Sequence, residues 1–190
     1  MQPFLVSTAL VALAEIGDKT QLLSLVLAAR YRAPVPIILG ILAATLANHG
    51  IAAGLGDLLA RTLDPSILNW AIVASFVAMG LWMLVPDKLD DEQLPRRSAH
   101  GVFLATGLAF FLAEMGDKTQ VATIALAARF HEWAPVVAGT TLGMLVANVP
   151  AVLFGHKFAD RLPSRWIHAV AAILFVVLGG FALHAALQPH

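Results

Sequence analysis

The sequence predicts an all-α membrane protein with six transmembrane helices arranged as two inverted three-helix repeats. Three observations carry that prediction. The first is composition: of 190 residues, 59% are hydrophobic and 13% charged, with a mean hydropathy of +0.80. A soluble domain averages about 45–50% apolar and about 25% charged residues. The second is length: six apolar runs approach or exceed the roughly 20 residues needed to cross a bilayer. The third is repetition. A shift of 99 residues lays Glu15 on Glu114, Asp18 on Asp117, Gly40 on Gly139, Gly56 on Gly155, Phe76 on Phe175 and Gly80 on Gly179.

The predicted spans follow from where apolar runs stop. The first runs from about Phe4 to Ala29 and ends at Arg30 and Arg32. The second, Val35 to Ala60, is opened by Pro34 and Pro36 and closed by Arg61. The third, Ile67 to Val85, is closed by Pro86. Residues 87–100 are the one clearly polar stretch and make a linker between a first repeat, 1–86, and a second, 101–190. The fourth span runs from Gly101 to Ala128, the fifth from Ala134 to Phe158 and the sixth from Trp166 to Leu187.

An odd number of spans per repeat makes the second copy enter the membrane from the opposite side, a plan common in secondary transporters. The competing reading is a duplication kept only for packing. Arg30, Arg32, Lys88, Arg96, Arg97, Lys157, Arg161 and Arg165 fall on one side, and Arg61 and Arg129 on the other. The positive-inside rule then makes the linker cytoplasmic and both termini extracytoplasmic.

Composition also excludes. A formal net charge of zero gives no electrostatic case for nucleic acid. The absence of cysteine removes disulfides, thiolate metal sites and cysteine nucleophiles. No H-E-x-x-H or G-x-S-x-G pattern supports an intramembrane enzyme, and no permanent cofactor is implied.

The chemistry sits in a heptapeptide that occurs twice, Glu15-Ile16-Gly17-Asp18-Lys19-Thr20-Gln21 and Glu114-Met115-Gly116-Asp117-Lys118-Thr119-Gln120. Glu15 lies roughly 17 Å along its helix from Phe4, and Glu114 roughly 20 Å from Gly101, so both are near mid-bilayer. A charge there is costly and marks a functional site by default. Glu15 and Asp18 are three residues apart and share a helix face, as do Glu114 and Asp117. Thr20, Ser24, Thr119 and Thr123 add hydroxyls, and Gln21 and Gln120 add amide oxygens. The intervening glycine permits a local break, and carbonyls freed at such a break can serve as ligands. An all-oxygen set of this kind suits Mn2+, Ca2+ or Mg2+. Lys19 and Lys118 stand four residues after Glu15 and Glu114, the favourable order for ion pairs along a helix. Four acids less two lysines leave −2, which one divalent cation or two protons neutralise. That is a rationale for cation–proton exchange; the alternative is a buried ion-pair lock between helices.

Weaker signals surround the motif. Asn48 and Asn148, in the second and fifth spans, either complete the site or bond neighbouring helices. His49 reads first as a helix–helix contact and second as a proton relay. Trp70, Trp82, Trp133 and Trp166 fit an aromatic belt, and His168, His184 and His190 fall near membrane edges. Asp90-Asp91-Glu92 reads as a solvated loop rather than a cation sensor.

The doubled E-x-G-D-K-T motif, in two three-span halves joined by a polar loop, resembles the calcium/manganese cation–proton exchanger family. That family includes bacterial MneA-type manganese exporters and their Golgi and chloroplast relatives. The resemblance implies a six-helix inverted-repeat fold, with Glu15, Asp18, Glu114 and Asp117 as metal ligands and Thr20, Gln21, Thr119 and Gln120 as neighbours. It further implies export of Mn2+, or of Ca2+ and Mn2+, from the cytoplasm in exchange for protons. Lacking the N-terminal extension of the organellar relatives, the chain reads as a bacterial inner-membrane member. The rival readings are a related six-span exporter of an amino acid or another metal, and a cation channel.

Overall fold

Prolines open the helices where the sequence places them, because a proline at the first helical turn loses no intrahelical bond. In the computed structural model, which describes residues 1–82, 98–158 and 164–187, the chain is helical between short connections. Its elements are α1 (Gln2–Glu15), α2 (Lys19–Tyr31), α3 (Pro34–Thr62), α4 (Pro65–Trp82), α5 (Ala99–Glu114), α6 (Lys118–Phe130), α7 (Trp133–Phe158) and α8 (Ser164–Leu187). Residues 87–97 of the expected linker, with its acidic run, lie outside the described residues.

The first and fourth spans, expected as continuous helices, are each two helices. α1 ends at Glu15 and α2 begins at Lys19; α5 ends at Glu114 and α6 begins at Lys118. The second pair bends by 72° at its break. Gly17 and Gly116 sit at φ +85° and +75°, a conformation that lacks penalty only without a Cβ. Both helices stop there because the preceding residue, Ile16 or Met115, turns extended. Among the described residues, α3 and α7 are each long and apolar enough to cross a membrane, and α5 with α6 makes a third span if counted as one. The shorter apolar helices are Gln2–Glu15 and Pro65–Met79.

Polarity runs inside out. Leu104, Leu108 and Leu112 form an exposed stripe along α5, and Leu142, Val146 and Leu153 lie exposed on α7. Ser7, Thr45, Thr106, Thr140 and the motif carboxylates are buried. An apolar exterior of this extent is what a hydrocarbon solvent selects.

Glycines set how closely the helices cross. α7 packs on α1, and α5 on α3. A Cβ at Gly40 would stand 2.8 Å from both the Phe103 carbonyl oxygen and Thr106 Cβ. One at Gly139 would meet the Phe4 carbonyl and stand 2.9 Å from Ser7 Cβ. Phe4 and Phe103, Ser7 and Thr106, Gly40 and Gly139 are the same three places 99 residues apart, so one contact is made twice, each time between halves. Gly139→Val is expected to cost about 1–3 kcal/mol by overpacking. The check is a lowered thermal midpoint in detergent, with Gly180→Val as a control, since nothing lies within 4 Å of a Cβ there.

Candidate cation site

Both breaks are latched by the residue that follows them in the motif. The Gly17 N–H donates to Gln21 Oε1 at 2.7 Å, and the Gly116 N–H donates to Gln120 Oε1 at 2.7 Å. The two glutamines, expected to offer their oxygens to a cation, therefore spend them on the turns. Gln21 also donates its amide to the Ala147 carbonyl at 3.0 Å, tying α2 to α7.

Asp18 and Asp117 are the N-cap residues of α2 and α6, in extended conformation. Asp117 Oδ1 accepts from the Lys118 backbone N–H at 2.7 Å. The positive ends of α2 and α6 thus face these carboxylates, while Glu15 and Glu114 stand at the negative ends of α1 and α5. The expected shared helix face between Glu15 and Asp18 does not exist, because the break lies between them. They meet instead through the turn, in which the Asp18 N–H reaches the Glu15 carbonyl at 3.1 Å. The second copy repeats it from Asp117 to Glu114 at 3.1 Å.

Glu15, Asp18 and Asp117 are brought together: each offers a carboxylate oxygen within 4.8 Å of the others, and all three are buried. Oxygens on opposite sides of a Ca2+-sized ion lie about 5 Å apart, so the spacing is compatible with a single shared ion. Thr20 Oγ1 donates to Glu15 Oε2.

The lysines correct a second expectation. Rather than pairing along their own helices with Glu15 and Glu114, they cross between repeats. Lys118 Nζ lies 3.0 Å from Asp18 Oδ1, and Lys19 Nζ lies 3.4 Å from Asp117 Oδ2. An i,i+4 pair needs an unbroken helix, and the glycine break removes it. The two lysines are not equivalent: the Lys118 side chain is 0% exposed and that of Lys19 is 26% exposed.

Glu114 stands apart from the three-carboxylate group. Its Oε1 accepts from Thr45 Oγ1 at 3.2 Å, and its Oε2 lies 4.0 Å from His49 Nε2. Asn48 donates to the Phe111 carbonyl at 3.0 Å on the same side of α5. Asn148 takes a different part, accepting from Ser24 Oγ at 2.8 Å and donating to the Met144 carbonyl at 3.0 Å. Thr123 bonds back to the Thr119 carbonyl at 2.7 Å. Thr119 Oγ1 is buried with no hydrogen-bond partner. His49 is not the hydrogen-bonded helix contact expected of it, since neither ring nitrogen makes a hydrogen bond. Thr45 was not singled out by sequence; its signal was the polar stripe Thr45, Asn48, His49 at helical spacing in an otherwise apolar α3. Trp133, at the start of α7, donates to the Gly50 carbonyl at 3.1 Å.

Fold and site together define a membrane protein, helical through its described residues, that gathers its motif carboxylates inside itself at two broken helices. The chain belongs to the divalent cation/proton antiporter GDT1 family, which matches it twice, over residues 3–91 and 102–190. It is 54% identical over 181 residues to a Vibrio cholerae protein named “Putative manganese exporter”, covering 94% of this chain and 88% of that one. It is 28% identical over 186 residues to the Synechocystis GDT1-like protein sll0615, covering 87% and 89%. It is 30% identical over 210 residues to GDT1-like protein 3 of Oryza sativa subsp. indica, covering 96% and 73%. No solved structure matches the chain.

Proposed function

We propose that this protein exports divalent cations, Mn2+ foremost, from the cytoplasm in exchange for protons. The observation that carries the reading is the buried group of Glu15, Asp18 and Asp117, drawn from both halves and compensated by Lys118 and Lys19. Hard carboxylate oxygens at this spacing suit Mn2+ or Ca2+. The name of the Vibrio relative favours manganese. A structural lock between the two breaks needs no third acid.

In this reading residues 1–86 and 101–190 are inverted three-span repeats, joined by a cytoplasmic linker in a bacterial inner membrane. The contact made twice at Gly40 and Gly139, and the family's two separate matches, support that plan. Each ammonium stands where a cation's charge would be needed. An entering divalent ion takes the carboxylates from the lysines, and protons on the same carboxylates take its place on return. Rocking of one repeat against the other then exposes the site to each side in turn.

The test is 54Mn and 45Ca uptake into proteoliposomes, with and without an imposed pH gradient, beside Glu15→Gln/Glu114→Gln. Gradient-driven uptake that vanishes in the double variant is expected. Uptake indifferent to the gradient would replace the exchanger with a channel or uniporter. No uptake of either ion by the folded protein would point to another substrate.

A further inference from the structure

The pair formed by Glu114 and His49 is chemically unlike the three-carboxylate group beside it. We infer that these two residues, with Thr45 against the carboxylate, form a mixed nitrogen–oxygen station that favours Mn2+ and other transition-metal ions over Ca2+ and Mg2+. The inference rests on the exporter reading above and deepens it, by naming what ranks the ions.

Four observations converge on the station. His49 is 0% exposed, in the middle of α3, and both its ring nitrogens lack a hydrogen-bond partner. Buried polar groups are nearly always paired, so an imidazole with no hydrogen bond in a polar setting calls for an explanation, and a ligand is one. The Nε2 atom faces Glu114 Oε2 at 4.0 Å. That is too far for a hydrogen bond and leaves the two atoms facing each other across a gap that an ion could bridge. Glu114 Oε2 is likewise buried without a hydrogen bond, while Oε1 is held by Thr45 at 3.2 Å. The carboxylate is thus oriented through one oxygen, with the other turned to the imidazole. Finally, the arrangement belongs to one half only. The place 99 residues after His49 is Asn148, whose amide is engaged by Ser24 and Met144.

Ca2+ and Mg2+ take oxygen ligands almost exclusively, whereas nitrogen donors raise affinity along the first-row transition series. One imidazole beside a carboxylate therefore separates ions that an all-oxygen site ranks poorly. It also leaves Mn2+, at the weak end of that series, able to depart.

The experiment is pulsed electron paramagnetic resonance on Mn2+ bound to the purified, tag-free protein, with and without [15N]histidine labelling. Modulation from a directly bound imidazole nitrogen is expected, changing isotope with the label and absent in His49→Gln. In proteoliposomes the Mn2+-over-Ca2+ preference of His49→Gln is expected to fall about tenfold or more, the scale seen when a ligand's partner is removed. His49→Asn, which installs the residue found at the matching place, should behave alike. Bound Mn2+ without nitrogen modulation in the wild type would overturn this station alone. So would modulation that persists in either variant. A protein that binds no Mn2+ at all would overturn both this inference and the exporter reading.

Discussion

Asp117→Asn is expected to abolish Mn2+ transport while leaving the fold in place. Asparagine caps a helix about as well as aspartate, so the start of α6 and the turn at Gly116 persist. The Lys118 backbone N–H keeps an acceptor in the amide oxygen at the place where Asp117 Oδ1 now accepts it. What is lost is one of three converging carboxylates and the charge that a divalent ion needs. Removing even an outer partner of a metal ligand costs about 10–100-fold in affinity, so loss of a ligand itself should cut the rate at least about 100-fold. Lys19 loses its partner in this variant, but at 26% exposure it is less buried than Lys118, so the loss of stability should be smaller than for a fully buried pair. Uptake measured beside circular dichroism and size-exclusion profiles separates the two effects. Near-normal uptake by Asp117→Asn would remove the three-carboxylate group from the transport path.

Lys118→Met is expected to be the most destabilising single change in the motif. Its ammonium is fully buried at 3.0 Å from Asp18, whose side chain is also fully buried. Deleting one member of such a pair leaves a buried charge without that compensation, a loss of about 3–5 kcal/mol. Lys19→Met, the same change 99 residues earlier, should cost less, because the Lys19 side chain is 26% exposed rather than fully buried. The double variant Asp18→Asn/Lys118→Met should recover most of the lost stability, since it removes both charges together. It should not recover transport, because Asp18 is one of the proposed ligands. Thermal unfolding in detergent across this cycle measures the coupling. Equal costs for the two lysine variants would contradict the unequal burial on which the argument rests.

These expectations turn on features that were unevenly legible. The helical membrane class was open in the sequence, because hydropathy and run length are linear properties. α3, α7 and α8 fall within a few residues of their predicted bounds. The motif was equally open, since six charges in two apolar runs cannot be accidental in hydrocarbon. The glycine foretold a break as a possibility, and its positive φ in both copies is the realised form.

Helical spacing misled at the same point. Counting i,i+3 and i,i+4 from Glu15 and Glu114 assumes an unbroken helix, so it joined Lys19 to Glu15 and Lys118 to Glu114. Once the chain turns at Gly17 and Gly116, the side chains that follow point across to the other half. Lys118 meets Asp18 and Lys19 meets Asp117.

By itself, then, the sequence determined the solvent, the doubled motif and the residue types available to a cation. Hydrophobic run length and repetition are readable without knowing what touches what. The tertiary structure decided the partners. It set Glu114 apart with Thr45 and His49, gave Gln21 and Gln120 to the turns, and buried one lysine fully while leaving its counterpart partly exposed. Those outcomes depend on which helices cross and how closely, and the crossings are set by Gly40 and Gly139, distant in sequence from every charge they bring together.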